Sequence, residues 1–255
     1  MKTKLGAIFS FLLTILVLSV VTASMIIPVN DRAKENSIAP LKSPVIGENG
    51  GNWDLERVDF IHYAKPDSTG KPTKATNTCY KLMGVKWKSL PVNYIINPTN
   101  QDGLSYDFVV NTISSSAENW DNQTSSELFN NNYVVDYNSQ YGVQDYKNSI
   151  VFGNYPEGNV IGVTSVWYTR VGKEIVEFDM LLNDNYQWGD ATVDPSLMDL
   201  ENIMTHELGH SIGLSDIYTD SCSSVTMYGY SNYGDVEKRS LENPDILGLQ
   251  SMYGI

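Results

Sequence analysis

The sequence predicts an α+β domain, and three observations carry that prediction. Its apolar patterning reads in order as strand, helix, four strands, helix, helix. The strand segments are dense in β-branched and aromatic residues, whereas the helical segments repeat their apolar positions every three to four residues. The chain has 255 residues, 42% of them hydrophobic and 18% charged, which suits one good-sized domain with extensions rather than a disordered chain.

The chain opens with "MKTKLGAIFSFLLTILVLSVVTAS". Lys2 and Lys4 precede an uncharged apolar run from Leu5 to Val21, with Val21 and Ala23 where a signal peptidase requires small residues. Residues 1–23 therefore read as a signal peptide, and the chain as secreted into the extracellular space. An uncleaved membrane anchor is the competing reading, because the run is nearly long enough to span a bilayer. Export places the two cysteines, Cys79 and Cys222, in an oxidising compartment, where an even pair reads as a disulfide. The rival reading makes Cys79 a free thiolate held on a metal. The formal net charge of −13 excludes a nucleic-acid partner.

Residues 24–85 are dense in Pro, Gly, Asn and charge and read as an irregular pro-region or linker, leaving 86–255 as the domain. "VNYIINP" reads as a strand ending at Pro98. Phe108, Val109, Ile113, Ala117 and Trp120 have helical spacing, with Asp107 as the expected cap. "NYVVDY", "SIVFGN", "VIGVTSVWYTR" and "EIVEFDMLLND" follow as strands, the last two joined by a turn at 170–173. A second helix starts near Asp199. A third is expected to be capped by Asn243, to take Pro244 in its first turn and to stop at Gly254.

The second helix carries "THELGHSIGLSD" over 205–216. His206 and His210 lie one turn apart on one face, so two imidazoles can grip one ion. Glu207 projects about 100° around the helix from His206 and can reach a water on that ion as a general base without being a ligand. Catalytic zinc usually takes three protein ligands. The remaining choices are His62, a distant carboxylate or Asp216. Gly213 favours Asp216, because a glycine tolerates positive φ and lets the chain turn back toward the metal. Asp216 then stands where an extended HExxHxxGxxH motif has its third histidine.

With these residues in place the chain resembles the metzincin zinc endopeptidases, and among them the matrixins, over about residues 86–255. "LPVNYIINP", "AENWDN", "GNVIGVTSVWYT", "EIVEFDMLLNDNYQW", "MDLENIMTHELGHSIGL", "SVTMYGY" and "LENPDILGLQSMYG" occur in the matrixin order. The resemblance implies a zincin-like fold, with a twisted mixed sheet of about five strands, an active-site helix, a Met-turn at Met227 beneath the metal and a C-terminal helix. It implies a substrate lying extended along an edge strand at Val163, Ser165 and Trp167, with Tyr230 walling the pocket beside the metal. Asp216 replaces the usual histidine. The latency motif PRCGxPD of animal matrixins is absent, since Cys79 sits in "TNTCYKL". Asp245 alone remains to support the Met-turn.

The function so implied is a secreted zinc metalloendopeptidase. His206, His210 and Asp216 hold one zinc, and Glu207 takes a proton from the water on it as that water attacks a peptide bond. Polypeptides of the extracellular matrix and its surroundings are the expected substrates, and the chain is expected to act as a monomer. Acidic loops such as "NDNYQWGD" offer oxygen ligands for calcium without a specific calcium pattern. Two alternatives remain. One is a thermolysin-like hydrolase with Glu237 or Glu242 as third ligand. The other is a catalytically idle surface- or matrix-binding protein that keeps the fold, against which Glu207 argues.

Overall fold

A computed structural model describes residues 41–42, 45–46, 52–66 and 78–255. The expected signal peptide and much of 24–51 lie outside the described residues. No helix among the described residues is long and apolar enough to cross a membrane.

The strands, in chain order, are β1 (Leu41–Lys42), β2 (Val45–Ile46), β3 (Asn52–Trp53), β4 (Leu55–Ala64), β5 (Ile95–Ile96), β6 (Val134–Val135), β7 (Ser149–Gly153), β8 (Val160–Thr169), β9 (Ile175–Asn183), β10 (Trp188–Gly189), β11 (Met198–Asp199) and β12 (Tyr230–Ser231). Helices α1 (Tyr106–Asp121), α2 (Leu200–Ser211) and α3 (Asn243–Tyr253) complete the order. The main sheet runs β1-β4-β8-β9-β7-β5-β6, with β12 against β4. It is mixed: β5, β6, β7 and β9 pair in parallel, whereas β8 is antiparallel to both β9 and β4. The α+β reading and the metzincin architecture therefore hold. The five strands expected between residues 86 and 183 are β5 to β9, and the chain adds β1, β4 and β12 to them.

The strand β4 is the main departure. Residues 24–85 read as irregular, yet Leu55–Ala64 forms a ten-residue strand. Its register with β8 runs from Leu55↔Thr169 to Tyr63↔Val160. The signal was there: Val58, Phe60 and His62 alternate with Asp59, Ile61 and Tyr63 at the strand period, but turn-forming residues on both sides hid it. As a consequence, β8 is not an edge strand.

The core lies between the sheet, α1 and α2. Val109, Val110, Ile113, Ala117 and Trp120 of α1 are buried, and Trp120 donates its indole N–H to the Thr205 carbonyl of α2. Each fully buried Ile or Leu there stabilises the fold by about 1.5–3 kcal/mol over an exposed one. Ser105, not Asp107, caps α1, because its hydroxyl accepts from Phe108 N–H, three residues on. Glu242, not Asn243, caps α3, in a reciprocal box with Asp245. Asp199 caps α2 and Gly254 ends α3 as expected.

Candidate metal centre

Helix α2 is buried along nearly its whole length. A helix apolar or satisfied on all sides belongs inside a domain, and here that interior holds His206, Glu207 and His210, each fully buried. Gly209 exists for the packing: a Cβ there would run into the Met227 thioether and Trp120. Gly213 has φ 106°, and a Cβ would run into the Val85 carbonyl. After this turn the chain brings Asp216 back to the helix.

The two imidazoles are held by their outer nitrogens. His206 Nδ1 lies 2.7 Å from the Thr226 carbonyl, and His210 Nδ1 lies 2.9 Å from the Leu214 carbonyl. A carbonyl only accepts, so Nδ1 carries the proton in each ring and both Nε2 atoms present lone pairs. Those Nε2 atoms stand 3.1 Å apart. Asp216 Oδ1 lies 3.2 Å and 3.4 Å from them. It is buried and has no hydrogen-bond partner among the described residues. Three lone pairs converging this closely repel unless a proton or a metal cation lies among them, and Asp216 accordingly raises the His210 imidazole against the effect of its burial. Donors of one tetrahedral zinc lie about 3.3 Å apart, from the usual Zn–N distance. The residues therefore fit a zinc ion. Burial alone would raise the Asp216 carboxyl, but His210 and His206 hold it well below the usual carboxylate range, so this carboxylate is ionised.

The Met-turn passes beneath this set. Met227 is fully buried, and Asp245 accepts the backbone N–H groups of Thr226 and Met227 at 2.9 and 3.2 Å. Asp245 thus supports from below the carbonyl that orients His206. Cys79 and Cys222 are joined by a disulfide, with Cα atoms 5.5 Å apart. This excludes Cys79 as a thiolate on the metal.

Glu207 shows what spacing did not reveal. Its Oε2 accepts from Thr164 Oγ1 at 2.5 Å, and its Oε1 lies 3.1 Å from His62 Nδ1. His62 Nε2 faces Ser231 Oγ at 3.1 Å and the Lys238 ammonium at 3.4 Å. An ammonium has only protons to offer, so the His62 proton sits on Nδ1 and is donated to Glu207. Burial, then His206 and Lys238, holds His62 well below its ordinary value, so the ring is neutral. Burial pushes Glu207 up to about 7, partly offset by His210 and Thr164. Thr164 and Lys238 were missed as site residues, and His62 was weighed only as a third metal ligand, since none of them joins the site through local spacing. His62 also forms a second potential ligand group with His206 and Glu207.

The residues expected to bind substrate are covered. Val163 pairs with Ile61, Ser165 with Asp59 and Trp167 with Arg57. Ser165 donates to Asp59 at 2.6 Å, and the Arg57 guanidinium lies 5.0 Å from the Trp167 ring centre. Tyr230 pairs with Tyr63. Strand β4 thus occupies the edge along which a substrate was expected to lie. Among the described residues, Glu237 and Glu242 lie outside both potential ligand groups.

A peptidase family, matrixin, matches residues 86–254. This chain belongs to the matrixins. A hatching enzyme of Paracentrotus lividus is 28% identical over 224 residues, 82% of this chain. The chain spans only 35% of that relative's length. Matrixins are zinc-dependent peptidases, and this matrixin carries its ligand-spaced residues and its Met-turn inside the matched segment.

Proposed function

We propose that this matrixin is a secreted zinc endopeptidase with residues 1–23 as signal peptide, 24–85 as a pro-region and 86–255 as the catalytic domain. The convergence of His206 Nε2, His210 Nε2 and Asp216 Oδ1, the last a buried oxygen without a partner, carries the reading. These three residues hold the zinc, which when bound supplies Lewis-acid polarisation and makes water acidic near neutral pH. Glu207 takes the proton from the attacking water and returns it to the leaving amine. Thr164 holds one carboxylate oxygen in place, and the other, which His62 faces, is the one that takes the proton. Val163, Ser165, Trp167 and Tyr230 line the path of an extended polypeptide, whose backbone adds to β8. Calcium in the acidic loops remains part of the same proposal.

The test uses the processed, secreted chain, assayed against casein with and without a chelator, followed by cleavage-site mapping. Chelator-sensitive hydrolysis that returns with zinc is the expected result. A folded, zinc-loaded, processed chain that cuts nothing would establish the idle alternative.

A further inference from the structure

Strand β4 satisfies the cleft in every direction that a bound peptide would. It lies antiparallel to β8 over nine registered pairs and parallel to β12 at its far end. Lys65 N–H donates to the Ser231 carbonyl at 3.0 Å, extending that contact. One face of β4 engages the cleft wall through Arg57, Asp59 and Ile61 on Trp167, Ser165 and Val163. The other face engages the chemistry. The Phe60 ring stacks on His210, with centres 4.1 Å apart and planes 8° apart. His62 packs 4.0 Å from the His206 ring and donates to Glu207. With Thr164 on one oxygen and His62 on the other, the His62 ring takes the side of Glu207 that a water would need.

We propose that residues 55–64 are a built-in plug, bound in the cleft as an added strand, which keeps the protease latent by seating His62 on the general base and Phe60 on a zinc ligand. The plug rests on the zinc endopeptidase reading above, and it needs no cysteine on the metal. Both cysteines are consumed in the bond from Cys79 to Cys222. That bond also makes the plug removable. It anchors the chain from Cys79 onward to the loop before the Met-turn, and β4 lies upstream of it. A cut between Pro66 and Thr78 therefore leaves β4 held by non-covalent contacts alone.

The test starts from the full zinc-loaded chain with a site-specific protease sequence placed between Pro66 and Thr78. The intact chain, checked by mass, is compared with the cut chain freed of its N-terminal fragment by gel filtration. Because a tethered strand competes at an effective concentration in the millimolar range, kcat/KM on a quenched peptide should rise by about 100-fold or more on cutting. Synthetic peptide 54–65, labelled with a fluorophore, should bind the cut chain and inhibit it. The same peptide carrying Phe60→Ala and His62→Ala should bind at least about tenfold more weakly, since both anchoring rings are lost. Equal turnover by intact and cut chains overturns the plug, and so does failure of peptide 54–65 to bind. If neither chain turns over while the peptide binds and its double variant does not, the plug stands and the protease reading falls.

Discussion

Helix α2 and strand β4 meet at Glu207, yet they reach it by opposite routes. The helix brings His206, Glu207 and His210 from one turn, and Asp216 six residues later, with Gly213 to redirect the chain. The strand brings His62 from 145 residues away, through a ladder of pairs with β8. The helix contributes groups that a metal and a water can use. The strand contributes a ring that occupies those same groups. A site of this kind is assembled locally and controlled from a distance, so the two parts can be broken separately.

Breaking the helix side at the base gives the largest effect. In the cut chain, Glu207→Gln should lower kcat by about 10²–10⁴-fold while zinc content stays at one per chain, because general-base catalysis is worth that much. Steady-state kinetics with metal analysis checks it. The staple is next. Replacing Cys79 and Cys222 together by Ser should cost up to about 4–5 kcal/mol, the chain-entropy figure for so long a loop. Urea unfolding measures this, and the loss should leave the β4–β8 pairing in place, since the bond lies downstream of β4. Removing the third ligand sharpens the contrast further. Asp216→Ala should weaken zinc by more than about 100-fold, since loss of a ligand exceeds the 10–100-fold typical of its outer partners. Competition with a chelator of known affinity reads it. The smallest effect is expected at Met227→Leu, where a near-isosteric swap in the core should cost under about 1.5 kcal/mol by thermal unfolding and leave the cleavage preference as it is.

The same contrast explains what could be read in the sequence. Asp199, Gly213 and Gly254 act within a few residues of their partners, and caps, turns and ligand spacing are local chemistry, whereas Met227 and Asp245 were placed by the family resemblance. The strand order β5 to β9 followed from β-branched runs and one tight turn. Two caps went to neighbours, Ser105 and Glu242, because several short polar residues compete for one helix start. Strand β4 was lost for a different reason. Its alternation is short and mixed with charge, and only the bare flank of β8 decides that it pairs. His62 was one of three histidines and still stood apart, since no spacing rule connects a strand residue to a helix residue across the sheet. Lys238 was unreadable for the same reason: its ammonium, pushed down to about 8 by burial against the pull of Asp216 and Asp235, is fixed by the carbonyls of Tyr228 and Tyr230.

The central claim is that the metal belongs to the helix and the loop that follows it, not to the ring that the strand brings. Two groups of ligand atoms share His206: one with His210 and Asp216, the other with His62 and Glu207. Crystals of the intact chain grown with zinc, measured on both sides of the zinc absorption edge, separate them. The account predicts one anomalous peak among His206 Nε2, His210 Nε2 and Asp216 Oδ1, with His62 still on Glu207. A peak between His62, His206 and Glu207 would contradict it, because Glu207 would then be a ligand and not a base.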